Sequence, residues 1–171
     1  MKATSLLERQ HRKVEGIFKK LEGGSSDPAP LLTDLANDLA AHMAIEQEIF
    51  YPAIREVDEK LILESYEEHS LAEVALKRLL ATDPEDESFD ARVTATKELI
   101  KHHVEEEEGE MFPKVEKALG DEKLAELGKL MKARFEEVQA AGFEASVPKG
   151  FAKTSADAAV KPAKRAKKRA A

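Results

Sequence analysis

The chain has 171 residues, enough for one domain with a sizeable core, and its Ala-, Leu-, Glu- and Lys-rich composition with no Trp favours an all-helical fold. The absence of Cys excludes disulfides, thiolate zinc sites, iron–sulfur clusters and cysteine nucleophiles, so any metal must be held by nitrogen and oxygen. The net charge is −7, yet residues 161–171 carry six Lys or Arg and no acid, which gives an acidic body and a basic end.

The first ten residues lack the apolar stretch of a signal peptide, and no run approaches the roughly 20 apolar residues of a membrane span. The expectation is a cytoplasmic protein with no membrane association. A first helix opens at the capping box Ser5-Leu6-Leu7-Glu8 and carries Leu7, Val14, Phe18 and Leu21 on one stripe, with His11 on the same stripe. Gly23-Gly24 stops it. A second helix starts at Pro28 behind Asp27 and places Leu31, Leu35, Leu39, His42, Ile45, Glu46 and Ile49 inward until Pro52 ends or kinks it.

A third helix begins near Asp58, turns Ile62, Ser65, Tyr66, His69, Ala72, Glu73, Leu76 and Leu80 to one face, and closes at Thr82-Asp83-Pro84. Ser88 caps a fourth, with Phe89, Val93, Thr96, Leu99, Ile100, His103, Glu107 and Met111 inward before Pro113 and an extension to Leu119. Gly120-Asp121 opens a fifth helix that has Leu124, Leu127, Met131, Phe135 and Val138 but no His. The expected organisation is a four-helix bundle over 1–119, an additional packing helix over 120–141, and a disordered Lys/Ala-rich tail over 142–171.

One pattern occurs twice. In His42-Met43-Ala44-Ile45-Glu46 and His103-Val104-Glu105-Glu106-Glu107, a His is followed by Glu four residues later, and Phe and then Pro come after at matching distances. Residues four apart lie one above the other on a helix, so each stretch aims an imidazole and a carboxylate at one volume. Two helices that do this together make a dinuclear metal site. Four helices joined by short loops form an up-down-up-down bundle, and counting residues from each shared loop puts His11, His42, His69 and His103 within roughly one helical turn of the same height. The fifth His, His102, points about 100° away from His103. The matched distance to Pro113 selects His103 with Glu107 and leaves His102 with Glu106 as the alternative pairing.

These residues resemble the hemerythrin-like HHE cation-binding proteins, four-helix bundles built around a non-haem di-iron centre. The resemblance covers about residues 1–119 and rests on His11, His42 with Glu46, the Glu68-His69 pair, His103 with Glu107, and both Phe-and-Pro tails. It implies two iron ions joined by an oxo, hydroxo or water bridge. Glu46 and Glu107 would bridge them, with His11 and His42 on one iron and His69 and His103 on the other. It also implies O2, peroxide or nitric oxide as the small ligand, bound or reacted with in sensing, detoxification or iron handling. The respiratory members carry two His four residues apart on the third helix; the positions at that spacing from His69 are Ser65 and Glu73. One iron therefore lacks a third imidazole, with Glu73 or Tyr66 as candidates beside it, and turnover of peroxide or nitric oxide there is the enzymatic alternative. The basic residues 161–171 suit a sequence-independent, salt-sensitive contact with nucleic acid or another polyanion, which makes a tethered regulatory protein the further alternative.

Overall fold

The computed structural model describes residues 1–159; the basic residues 161–171 lie outside them. The long helices are α1 (Ala3–Glu22), α2 (Ala29–Ile45), α4 (Glu59–Leu80) and α5 (Phe89–Glu106), and they form the four-helix bundle. Between α2 and α4 lies the short α3 (Tyr51–Ile54), and after α5 comes α6 (Phe112–Ala141), followed by α7 (Phe143–Ser146) and α8 (Ser155–Ala159). Around the bundle α1 packs on α2 and α5, and α4 packs on α5 and α2. The outer part of α6 covers α1 and α2.

The core comes in two apolar blocks with a polar layer between them. One block gathers Leu7, Ile45, Phe50, Ile54, Ile62 and Met111 with Leu124 and Met131 of α6; the other gathers Val14, Phe18, Leu35, Leu76, Leu79 and Val93. Along each bundle helix the heptad-like stripe is apolar on both sides of one His, so the two blocks lock the four His at a common level.

Helix ends follow local chemistry in part. Asp58 caps α4, its Oδ1 accepting from the Leu61 N–H. The capping box expected at Ser5 is not used: α1 already starts at Ala3, and the N-terminus packs against α6, where a Cβ on Gly128 would collide with the Met1 carbonyl. Ser88 stands at the start of α5 without capping it, since its hydroxyl donates to Asp86 instead. Leu99 is exposed rather than inward. Within α6 the chain breaks helix at Gly120, whose φ of 72° lies in the left-handed region that glycine alone enters without strain.

Pro52 and Pro113 neither end nor sharply redirect their helices. Each is preceded by a turn of π-helix, Glu46–Phe50 and Glu107–Met111, and helix resumes with the proline in its first turn. A proline costs least there, where the ordinary ladder has already been interrupted.

The segment 142–159, read from sequence as tail, packs on the bundle. Ala156 is buried, Thr154 and Ser70 share a hydrogen bond of 2.9 Å, and the Ser155 N–H and hydroxyl both donate to Glu73 Oε2 at 2.8 and 2.6 Å. The low apolar content that suggested disorder is offset by these polar anchors on α4. No described helix is long and apolar enough to cross a membrane.

Candidate metal centre

His11 comes from α1, His42 from α2, His69 from α4 and His103 from α5, while Glu46 and Glu107 are the first residues of the two widened turns. All six side chains are buried, the two carboxylates completely. His42 Nε2 and His69 Nε2 lie 3.1 and 3.3 Å from Glu46 Oε2, and His11 Nε2 and His103 Nε2 lie 3.4 and 3.7 Å from Glu107 Oε2. The Nε2 atoms of His69 and His103 face each other at 3.0 Å. Two overlapping groups result, each able to hold a metal ion: His11, His42, Glu46 and Glu107, and Glu46, His69 and His103.

The outer nitrogen of every imidazole is held. His11 Nδ1 meets Glu108 Oε1 at 2.8 Å, His42 Nδ1 meets Gln10 Oε1 at 2.8 Å, and His103 Nδ1 meets Glu68 Oε2 at 2.7 Å. The Gln47 amide meets His69 Nδ1 at 3.0 Å, and a half-turn of that amide presents its oxygen to an Nδ1–H. A proton fixed on Nδ1 leaves the Nε2 lone pair aimed inward, as metal-binding imidazoles require. Arg12 pairs with Glu108 and so anchors the outermost of these carboxylates.

The inner atoms lack such partners. His11 Nε2, both Glu46 oxygens and Glu107 Oε2 are shut off from solvent with no hydrogen-bond partner. An ionised carboxylate without a counter-charge is among the costliest groups to bury. The strain shows in the protonation: burial, then the neighbouring Glu107, pushes Glu46 well above the usual carboxylate range. For Glu107 burial acts upward, but His103 and His11 outweigh it and hold it below that range. Burial keeps His42 and His69 well below the ordinary imidazole value, whereas Glu107 and Glu68 overcome burial at His103 and raise it. Divalent cations held between these nitrogen and oxygen donors would satisfy the four orphan atoms.

Tyr51 completes the inner layer. Its hydroxyl donates to Glu107 Oε1 at 2.9 Å and lies 3.2 Å from His69 Nε2 and 3.5 Å from His103 Nε2. Sequence reasoning passed over it because an unbroken α-helix would put residue 51 about 140° around from Glu46. The Tyr51 N–H instead bonds to the Glu46 carbonyl, five residues back, and the widened turn brings the ring round above Glu46. The equivalent residue in the second copy is Phe112, which stacks on His11 with ring centroids 6.1 Å apart. One half of the centre thus has a phenol where the other has a plain ring.

The two candidates raised beside His69 stand elsewhere. Glu73 is fully buried but turned to α8 and to Lys77, whose Nζ donates to Glu73 Oε1 at 2.6 Å. The Tyr66 hydroxyl donates to the Gln47 carbonyl. His102, the alternative to His103, is on the outside of α5 and exposed.

Comparisons with known proteins show the family and the fold. A family model described as hemerythrin HHE cation binding domain matches residues 2–115, and the chain belongs to that family. A crystal structure of a hemerythrin HHE cation binding domain-containing protein from Mycobacterium kansasii superposes with a TM-score of 0.74 at 28% identity, over 82% of this chain and 89% of that one. A curated protein named DNA nickase, from Nostoc sp., is 27% identical over 143 residues, which are 81% of this chain. The chain spans only 40% of that relative's length.

Proposed function

We propose that this chain is a non-haem di-iron protein whose buried centre binds or reacts with O2, peroxide or nitric oxide, in sensing, detoxification or iron handling. The observation that carries the proposal is the set of solvent-excluded, unpartnered atoms on His11, Glu46 and Glu107, facing the inner nitrogens of His42, His69 and His103. In this reading Glu46 and Glu107 would be shared by two irons, His11 and His42 would hold one, and His69 and His103 would hold the other, with the Tyr51 hydroxyl as a further donor. A bound iron pair supplies two electrons to a single small oxidant. The protein's own part is to orient the imidazoles through Gln10, Gln47, Glu68 and Glu108 and to keep water sparse.

The approach to the centre supports a small neutral ligand. A cavity of about 30 Å³ touches His11, His42, His69 and His103 and is otherwise walled mostly by Val14, Leu39, Met43, Ala72, Ile100 and Val104. It has room for one molecule of diatomic size. Outside it, between α1 and α5, an open groove shares His11, Val14, Ile100 and Val104 with the cavity. Iron-replete protein should carry about two iron ions per chain and show ligand-to-iron charge-transfer absorption; preparations with neither reject the proposal. Turnover of peroxide or nitric oxide is the enzymatic form of the same reading, and peroxide loss that persists in both Glu46→Ala and His103→Ala would count against it.

A second reading has one specific observation in its favour: the similarity to a relative named DNA nickase, in a chain whose residues 161–171 include six Lys or Arg. Here the bundle is a metal-dependent regulatory module and residues 161–171 hold it on DNA through phosphate contacts. Retention on DNA that falls with salt, and is lost on truncation after Val160, is the expected result; equal retention by both chains removes the tail from this reading.

A further inference from the structure

The His102/Glu106 pair is the copy of the His-x-x-x-Glu spacing that the inner centre does not use. It lies on the outward side of α5, where α4 brings Glu68 against it. His102 Nε2 is 3.5 Å from Glu68 Oε1 and 3.6 Å from Glu106 Oε1, and the three side chains offer donor atoms within 4.8 Å of one another. We propose that Glu68, His102 and Glu106 form a second, mononuclear site for a divalent transition-metal cation on the surface of the bundle, behind His103.

Three observations support a cation here rather than a solvated acidic face. The donors are an imidazole and two carboxylates from two helices, a mixed nitrogen and oxygen set that suits zinc or ferrous iron. Glu106 Oε2 is closed off from solvent and has no hydrogen-bond partner, although its residue sits near the surface. Among the described residues no Lys or Arg forms an ion pair with Glu68 or Glu106; the side chains that face them are the imidazoles of His102 and His103.

Glu68 connects the two sites. Its Oε2 holds His103 Nδ1 at 2.7 Å while its Oε1 faces His102. The outer cation would therefore be one carboxylate away from an inner imidazole. The proposal does not depend on which metal fills the inner centre.

The test is calorimetric titration of the full chain with Zn2+ after its inner centre has been saturated with iron, beside His102→Ala and Glu106→Gln. Both changes lie outside the inner centre, and the exposure of His102 means that its removal leaves the core packing intact. The expected result is one additional Zn2+ per chain, bound at least about tenfold more weakly by either variant, with iron content and visible absorption unchanged. No additional ion, or an additional ion bound equally well by both variants, overturns the proposal. Loss of iron from the wild-type chain would instead bear on the di-iron reading, so the two failures are distinguishable.

Discussion

Tyr51 separates the two halves of an otherwise repeated site, because its hydroxyl reaches His69, His103 and Glu107 where Phe112 in the second copy offers only a ring face to His11. In Tyr51→Phe the ring still packs, and one hydrogen bond worth about 1 kcal/mol is lost. The melting temperature should move by only a few degrees, about 2–4 °C, while any phenolate-to-iron band disappears from the visible spectrum. A band of undiminished strength in the variant would remove Tyr51 from the metal's donors. The outer hydrogen bonds carry a comparable consequence. Gln10→Leu keeps the side chain's bulk but leaves His42 Nδ1 without its acceptor, so metal affinity should fall roughly 10–100-fold. Competition against a chelator measures it, and an unchanged affinity would show that the imidazole is oriented by packing alone.

The two π-helical turns connect backbone to chemistry. Each begins on a carboxylate of the centre and ends just before the residue that precedes Pro52 or Pro113. The single extra residue per turn rotates everything downstream, which is why Tyr51 and Phe112 enter the layer while the helix axis carries on. Helix ends can be tested separately. Asp58→Ala removes an observed cap on α4 and should cost about 1 kcal/mol in urea denaturation. Ser88→Ala removes a hydroxyl that does not cap α5, and should cost only a few tenths of a kcal/mol. Equal losses in the two variants would contradict the difference in their geometry.

For the molecule as a whole, the centre is a charged layer between two apolar blocks, and its stability is linked to whatever cation it holds. Stripping the metal should lower the unfolding free energy by about 4 kcal/mol if free metal had been a thousandfold above its dissociation constant. A melting curve with and without chelator reads this directly. The pH dependence of affinity has a definite sign. Burial and Glu107 push the Glu46 carboxyl well above its usual range, and the neighbouring carboxylates raise His103, so protons held by these two ligands compete with the cation. Affinity should rise with pH as Glu46 and His103 give up their protons, and uptake should release protons, detectable with an indicator dye; an affinity that falls as pH is raised would contradict the assignment of donors.

Composition, helical periodicity and the doubled His-x-x-x-Glu spacing determined a great deal unaided: an all-α bundle, a common level for four His, and six side chains that the folded chain does bring together. Those features are legible because they repeat with the 3.6-residue period of a single helix, which needs no knowledge of neighbours. Only the tertiary structure decided the rest. Tyr51 depended on a widened turn that no local spacing announces; Gln10, Gln47 and Glu108 became imidazole anchors through contacts between helices; Glu73 was drawn off by Ser155, from a segment with too little apolar pattern to read as packed. Periodicity reports which face of a helix is inward, whereas what meets that face, and at what rotation, is set by the packing of distant parts of the chain.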